Sequence, residues 1–413
     1  MADQQRTRLV SLLLWTLPAL CACTSNVANC WSGRLIPDDY DKTKTPFVPG
    51  TPLPVQTSIW VSSVTSVSEL AADFTVDLYF RLKWHDRRVA YPDCEKRPFL
   101  LLESTEIDRL WIPDVYFIGE KRATQHMLMR RNAALRLNKN GSSLYLSERL
   151  TLTVICNYDF QLFPMDSQAC ELGIEPYVYH KEYLDLSFED PGVYFNNFKF
   201  RIPQFDLRDV KAGNCSYTYM YQGTALQQSC VRAVFFFERV FRYHFLQIYV
   251  PSLMIVGISF LSFFVPVTVV PGRIALSITT LLTLSTQMQA VQKSLPPVSY
   301  VKASDVWMFF CIFAVFSTLI EFAISYRHCT NVQKKEVTKV WPIGARSEDK
   351  PAESSVHQAL ARIGLTRNRP DLVDAISKIF FPTAFVIFNI AYWSYYSGLQ
   401  SEKRKLMEKS YEA

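Results

Sequence analysis

Between residues 74 and 84, Phe74, Val76, Leu78, Phe80, Leu82 and Trp84 alternate with Thr75, Asp77, Tyr79, Arg81 and Lys83. Period two over that length predicts a half-buried antiparallel strand, with Tyr79 and Arg81 neighbours on its polar face. Residues 150–154 alternate in the same way, and 231–237 are aromatic and β-rich. Turn signals stand between them at Asn140-Gly141, Asp190-Pro191-Gly192 and Pro203. Many short strands without a strong amphipathic helix predict a β-sandwich over 24–242. The pattern then changes. Residues 245–267, 306–326 and 379–399 are apolar runs long enough to cross a bilayer. With a further run at 274–291, the expected fold is an extracellular antiparallel β-sandwich followed by a four-helix transmembrane bundle.

The run at 274–291 is unlike the others: six of its residues are Ser or Thr, two are Gln and none is aromatic. Ala275, Thr279, Leu282, Thr286 and Gln289 fall at helical spacing and form one stripe. Such a stripe serves two ends. It can hydrogen-bond between packed helices, or it can line a water-filled pore. One helix cannot surround a pore, so the second reading requires a ring of subunits with cyclic symmetry. Leu282 is then an apolar ring among hydroxyls, a constriction that blocks ions by dewetting.

The N-terminus has Arg6 and Arg8, a short apolar core and small residues at Ala19, Cys21 and Ala22, which reads as a signal peptide over 1–23. Cysteines beyond it are then in an oxidising compartment. Spacing favours the pairs Cys156–Cys170 and Cys215–Cys230, and leaves Cys30–Cys94 by elimination. Asn140 and Asn214 sit in glycosylation sequons. Residues 327–378 carry ten Lys or Arg against six acids and read as a cytoplasmic loop; 400–413 then form an extracellular, solvated tail. From Arg239 to Ser304 there is no Asp or Glu, and Arg273 and Lys293 flank the hydroxyl-rich helix. Rings of such charges favour anions. The net charge of +6 does not point to nucleic acid. The scattered histidines offer no metal-ligand spacing, cofactor site or catalytic triad, which argues against an enzyme. An adhesion module would need one span, not four. Tyr217, Tyr219 and Tyr221 share a face of a disulfide-closed hairpin, either as packing or as an aromatic flap over a ligand.

A secreted β-sandwich, the loop Cys156–Cys170 containing Phe163-Pro164-Met165-Asp166, "WIPDVYF" at 111–117, four spans with a hydroxyl-rich second one, and "SYVKASDVW" at 299–307 together resemble the Cys-loop receptors. These are pentameric ligand-gated ion channels. Within them the chain looks most similar to the anion-selective glycine and glutamate-gated chloride branch, although Pro271-Gly272-Arg273 stands where that branch has Pro-Ala-Arg. A cation-selective member of the family is the alternative. The resemblance implies a homo- or heteropentamer in the plasma membrane, passing chloride when a small agonist binds between subunits. It implies one half-site from Phe117, Glu120, Glu175, Tyr177, Tyr217, Tyr219 and Tyr221. The other comes from Tyr79, Arg81, Arg136 and Ser147, with Arg81 holding a ligand carboxylate. Gly272 and Arg273 would set selectivity. Phe163, Pro164, Asp166 and Arg239 would couple the sandwich to the membrane helices, with Arg239 pairing to an acid such as Asp166.

Overall fold

The computed structural model describes residues 36–89, 91–92, 96–102, 104–139, 143–195, 202–340 and 372–411. The leader, Cys30, Cys94, the Asn140 sequon and 341–371 lie outside the described residues. The long alternating segments form β1 (Leu53–Ser68), β2 (Asp73–His85) and β7 (Ser143–Ile155). These pack at the centre of one sheet, ordered β3 (Phe99–Leu102), β6 (Ala133–Asn138), β7, β2, β1, β9 (Leu184–Phe195), with β5 (Glu120–Gln125) also on β7. A second sheet is ordered β10 (Phe205–Asn214), β13 (Val231–Arg239), β8 (Ser167–Pro176), β4 (Val115–Ile118). The inward residues Phe74, Val76, Leu78, Phe80, Leu82 and Trp84 are all buried, against Leu172, Ile174, Phe235 and Phe237 of the other sheet. β11 (Tyr217–Tyr221) and β12 (Thr224–Gln228) make a separate hairpin. Its turn residues Gln222 and Gly223 both have positive φ, 49° and 83°, the geometry whose twist suits a two-residue hairpin. Disulfides Cys156–Cys170 and Cys215–Cys230 are formed.

Four helices long and apolar enough to cross a membrane follow: α1 (Phe241–Phe264), α2 (Val270–Lys293), α3 (Ala303–Val340) and α4 (Leu372–Ser410). Two expectations change here. At 1.5 Å per residue, the 38 residues of α3 reach about 57 Å, well past a bilayer's width, so the start of the 327–378 segment is helical and not loop. Residues 400–410, expected as a solvated tail, are mostly exposed but form the last turns of α4, and some of their side chains reach the sandwich. Lys403 is ion-paired with Asp159, Arg404 lies 3.8 Å from Glu238, and Tyr411 packs its ring 5.6 Å from Phe236 with Arg232 over it at 5.2 Å. Basic residues placed one turn beyond an apolar span meet acids at the base of the sandwich, which sequence pattern alone cannot distinguish from a solvated run.

Candidate functional site

On the four-stranded sheet, β4 and β8 put Tyr116 opposite Glu175. Glu175 belongs to the outward set of β8, yet it is only 6% exposed because aromatic rings cover it. The Tyr116 hydroxyl donates to Glu175 Oε1. The Tyr116 and Tyr177 rings meet edge to face at 5.7 Å, and the Tyr217 and Tyr219 rings lie 6.0 Å apart. Burial, and then the Glu175 carboxylate, push the phenols of Tyr116 and Tyr217 above the usual tyrosine range. Among the described residues, Glu175 Oε2 is buried with no hydrogen-bond partner within bonding distance. A carboxylate oxygen left unpaired among ring faces is suited to an ammonium group, since a cation is attracted both by the charge and by the aromatic faces.

The hairpin is fastened beside this box. Gln228 Nε2 donates to the Pro176 carbonyl at 2.7 Å, and Tyr219 reaches His180 Nδ1 at 3.3 Å. Asp114 accepts the Val178 N–H at 3.0 Å, which shapes the turn carrying Tyr177. Tyr221 is exposed near the hairpin tip.

Two expected members lie elsewhere. Phe117 pairs with Ile174 and packs edge to face on Phe80 at 5.1 Å, so it is a core residue; its neighbour Tyr116 is the one that faces outward. Glu120 is exposed on β5, paired with Val154 in the seven-stranded sheet. Strand parity was the missed signal: Ile174 and Phe117 are both large and apolar, so they share the inner face, and Glu175 must share the outer one with Tyr116.

Tyr79, Arg81, Arg136 and Ser147 all occupy the outer face of the seven-stranded sheet, Arg81 directly opposite Ser147. Arg81 lies over the Trp60 ring at 5.2 Å, and its Nε is buried without a partner among the described residues. Arg136 lies over Tyr145 at 5.6 Å and Phe99 at 5.1 Å. This second set points away from the shared core, while the Glu175 box is on the other sheet. Sandwiched sheets are about 10 Å apart with the core between, so the two halves cannot close on one ligand within one chain.

In the bundle, Ala275, Thr279, Leu282, Thr286 and Gln289 are all exposed, Leu282 at 63%, while Arg273, Ser277, Thr280 and Leu284 are buried against the other helices. Arg273 is therefore not a residue of the exposed stripe. Its guanidinium forks onto Asp374 of α4 at 3.1 and 2.6 Å, approaches Glu321 at 4.0 Å and donates to the Val265 carbonyl at 2.7 Å. A charge so deep in apolar surroundings must be paired, and Asp374, read from sequence as one acid of a basic loop, supplies the pair. Gly272 is exposed at the start of α2 and Lys293 at its end.

The loop between Cys156 and Cys170 joins the two halves of the molecule. Its carbonyls at Gln161 and Phe163 accept the Ala303 and Ser304 N–H groups at 2.9 and 3.0 Å, so the loop caps the N-terminus of α3. Phe160 and Phe163 belong to the buried cluster of the bundle, with Tyr249, Leu295 and Trp307. Arg239, at the end of β13, forks onto Asp166 at 2.6 and 3.0 Å, is ion-paired with Glu69, and is held between the rings of Phe163 and Phe205 at 4.7 and 4.5 Å. Pro164, next to Phe163, lies in the same loop and is buried. Asn214 is exposed, its side-chain oxygen accepting the Ser216 N–H.

Leu282 is the large aliphatic side chain on this exposed, hydroxyl-rich stripe. If this stripe lines a pore, as the sequence resemblance implies, Leu282→Thr should wet a constriction there and give resting leak, or at least a tenfold lower half-maximal agonist concentration. Normal surface expression with an unchanged resting conductance and dose response would refute a gate at Leu282.

Residues 33–240 match the neurotransmitter-gated ion-channel ligand binding domain, and residues 248–359 match the neurotransmitter-gated ion-channel transmembrane region. Together the matches span well over half of the chain, across the sandwich and into the bundle. Proteins of that kind are non-enzymatic pentameric channels whose extracellular domain binds small-molecule neurotransmitters. The chain belongs to the neurotransmitter-gated ion channels, the Cys-loop receptor family.

Proposed function

We propose that the chain is a subunit of an anion-selective pentamer in the plasma membrane, opened by a small ligand that carries an ammonium group and a carboxylate. The unpaired Oε2 of Glu175 among Tyr116, Tyr177 and Tyr217 carries this reading. The ammonium end sits in that box. Arg81, with Tyr79, Arg136 and Ser147 beside it, comes from the neighbouring subunit and takes the carboxylate. Its planar fork matches two carboxylate oxygens, and its buried Nε is unengaged.

Chloride selectivity rests on less than a ring of arginines, because Arg273 is neutralised by Asp374. Three features remain in its support. The exposed stripe of α2 carries no acid, the positive end of its helix dipole lies at Pro271-Gly272, and Lys293 is exposed at the other end. The reversal potential of the agonist-evoked current is expected to follow the chloride gradient. Gly272→Glu, which puts a carboxylate at the mouth, should move it toward the cation potential. A wild-type reversal that tracks sodium would install the cation-selective reading instead. Arg273→Ala, by contrast, is expected to lower surface expression without moving the reversal potential, since it leaves Asp374 buried and unpaired.

A further inference from the structure

Among the described residues, the β11–β12 hairpin pairs only with itself, and Tyr217, Met220 and Tyr221 stay 46%, 69% and 58% exposed. A two-stranded hairpin that buries so little is marginal by itself, so its position depends on what ties it to the sandwich. The disulfide Cys215–Cys230 closes its base. Further ties run to the turn after β8, which carries Tyr177. Gln228 Nε2 donates to the Pro176 carbonyl at 2.7 Å, and the Lys181 N–H donates to the Gln227 carbonyl at 2.9 Å. Two more ties meet at one atom. His180 Nδ1 lies 3.2 Å from Gln228 Oε1 and 3.3 Å from the Tyr219 hydroxyl, and the His180 and Tyr219 ring centroids are 6.0 Å apart.

These partners decide where the proton is. A backbone carbonyl only accepts, so the nitrogen of the Gln228 amide faces Pro176 and its oxygen faces His180. Nδ1 therefore carries a hydrogen, with Gln228 Oε1 as its acceptor and the Tyr219 oxygen as a second one. We infer that His180 is a positioning residue of the agonist site: its Nδ1–H holds the hairpin against the Tyr177 turn, and a second proton, on Nε2, tightens that hold. The inference rests on the proposed agonist site. A neutral ring already makes both bonds, but both are long. An imidazolium makes them charge-assisted, roughly twice as strong. His180 is half-buried, so its ring can exchange a proton with solvent. The ionisable groups on the elements around it are Tyr217 and Tyr219 of β11, Glu175 of β8, Asp185 of β9, and Lys181 and Glu182 of its own segment; β12 has none. The neighbouring acids have partners of their own. Asp185 is 3.9 Å from Lys181, Glu175 accepts from Tyr116, and Asp114, ahead of β4, accepts the Val178 N–H. No acid among the described residues hydrogen-bonds the His180 ring, so a proton gained there acts on Gln228 and Tyr219.

The test compares His180→Asn and His180→Ala with the wild type in the full-length receptor. An Asn amide N–H can stand where Nδ1–H does, but it takes up no proton. Without ligand, hydrogen exchange of a peptide spanning 177–184 reads the Lys181 N–H, which the hairpin's Gln227 protects. All three proteins are compared at one pH at a time, so the intrinsic exchange rate cancels. At about pH 7.5, Asn should match the wild type and Ala should exchange about three- to tenfold faster; at about pH 5.5 the wild type should be about tenfold better protected than Asn. Affinity is read with radiolabelled glycine, glutamate and γ-aminobutyrate, which carry an ammonium and a carboxylate at different spacings, and should follow the same order at both pH values. Exchange in His180→Ala equal to wild type at both pH values overturns the latch. His180→Asn gaining acid protection as the wild type does overturns the role of the second proton. Exchange that follows the expected order while affinity stays flat across the variants overturns the positioning of the agonist by His180. A wild-type receptor that binds none of the three amino acids overturns the proposed ligand and not the latch, which exchange reads without it.

Discussion

Glu175→Gln is expected to raise the agonist concentration for half-maximal current by about a hundred- to a few-thousandfold. Removing one partner of a buried charge pair costs about 3–5 kcal/mol, and each 1.4 kcal/mol is a factor of ten. The carboxylate is 6% exposed and keeps an oxygen without a partner among the described residues, so a pair formed there with the proposed ammonium would be desolvated. Gln keeps the hydrogen bond from Tyr116 and the shape of the site, so the loss reports charge. The other end of the ligand should respond less. Arg81→Ala removes a charge-assisted hydrogen bond worth about 1.5–3 kcal/mol, roughly ten- to a hundredfold in concentration. Arg81→Lys should recover only part of it, because Lys lacks the fork. Competition binding on the whole receptor separates affinity from gating. A Glu175→Gln receptor with unchanged affinity would remove the ammonium, and an Arg81→Ala receptor with unchanged affinity would remove the carboxylate.

The fold was largely legible because its signals are periodic. Alternation at 74–84 fixes which face of β2 is inside, and the same alternation puts Tyr79 and Arg81 outside together. The hydroxyl stripe of α2 is likewise the exposed one. Errors arose where tertiary partners decide. Phe117 and Tyr116 are adjacent aromatics, and only pairing with β8 says which one looks outward. Arg273 lies next to the exposed stripe in sequence, but Asp374, 101 residues away, pulls it into the bundle. The charged run after residue 400 gains its meaning from Asp159 and Glu238, acids of a different domain. A charge near a membrane cannot be assigned to solvent, pore or partner until the opposite charges are located.

Arg239→Lys is expected to leave ligand affinity within threefold of wild type while cutting maximal current more than tenfold. The side chain of Arg239 is fully buried and links three segments at once: Asp166 of the disulfide loop, Glu69 of the turn after β1, and the end of β13 that leads into α1. Lys keeps the charge but cannot hold two acids in a plane between the Phe163 and Phe205 rings. Movement of β13 would then no longer be passed rigidly to the loop whose carbonyls cap α3. The two acids are not equivalent. Burial raises the proton affinity of Glu69 despite the facing Arg239. A raised carboxyl is a cost when ionised, so Glu69→Gln removes a penalty along with an ion pair and should change surface expression little. Asp166→Asn removes the forked pair, and Arg239→Ala leaves two buried acids without a cation. The latter should cost about 3–5 kcal/mol, a large share of a domain's usual 5–15, and appear as lost surface receptor. Surface biotinylation, ligand binding and maximal current on the same cells should give the order Arg239→Ala, Asp166→Asn, Glu69→Gln from most to least damaging. Full current from surface-expressed Arg239→Lys receptors would mean that the cluster only holds the sandwich together, and that the capped N-terminus of α3 carries the coupling by itself.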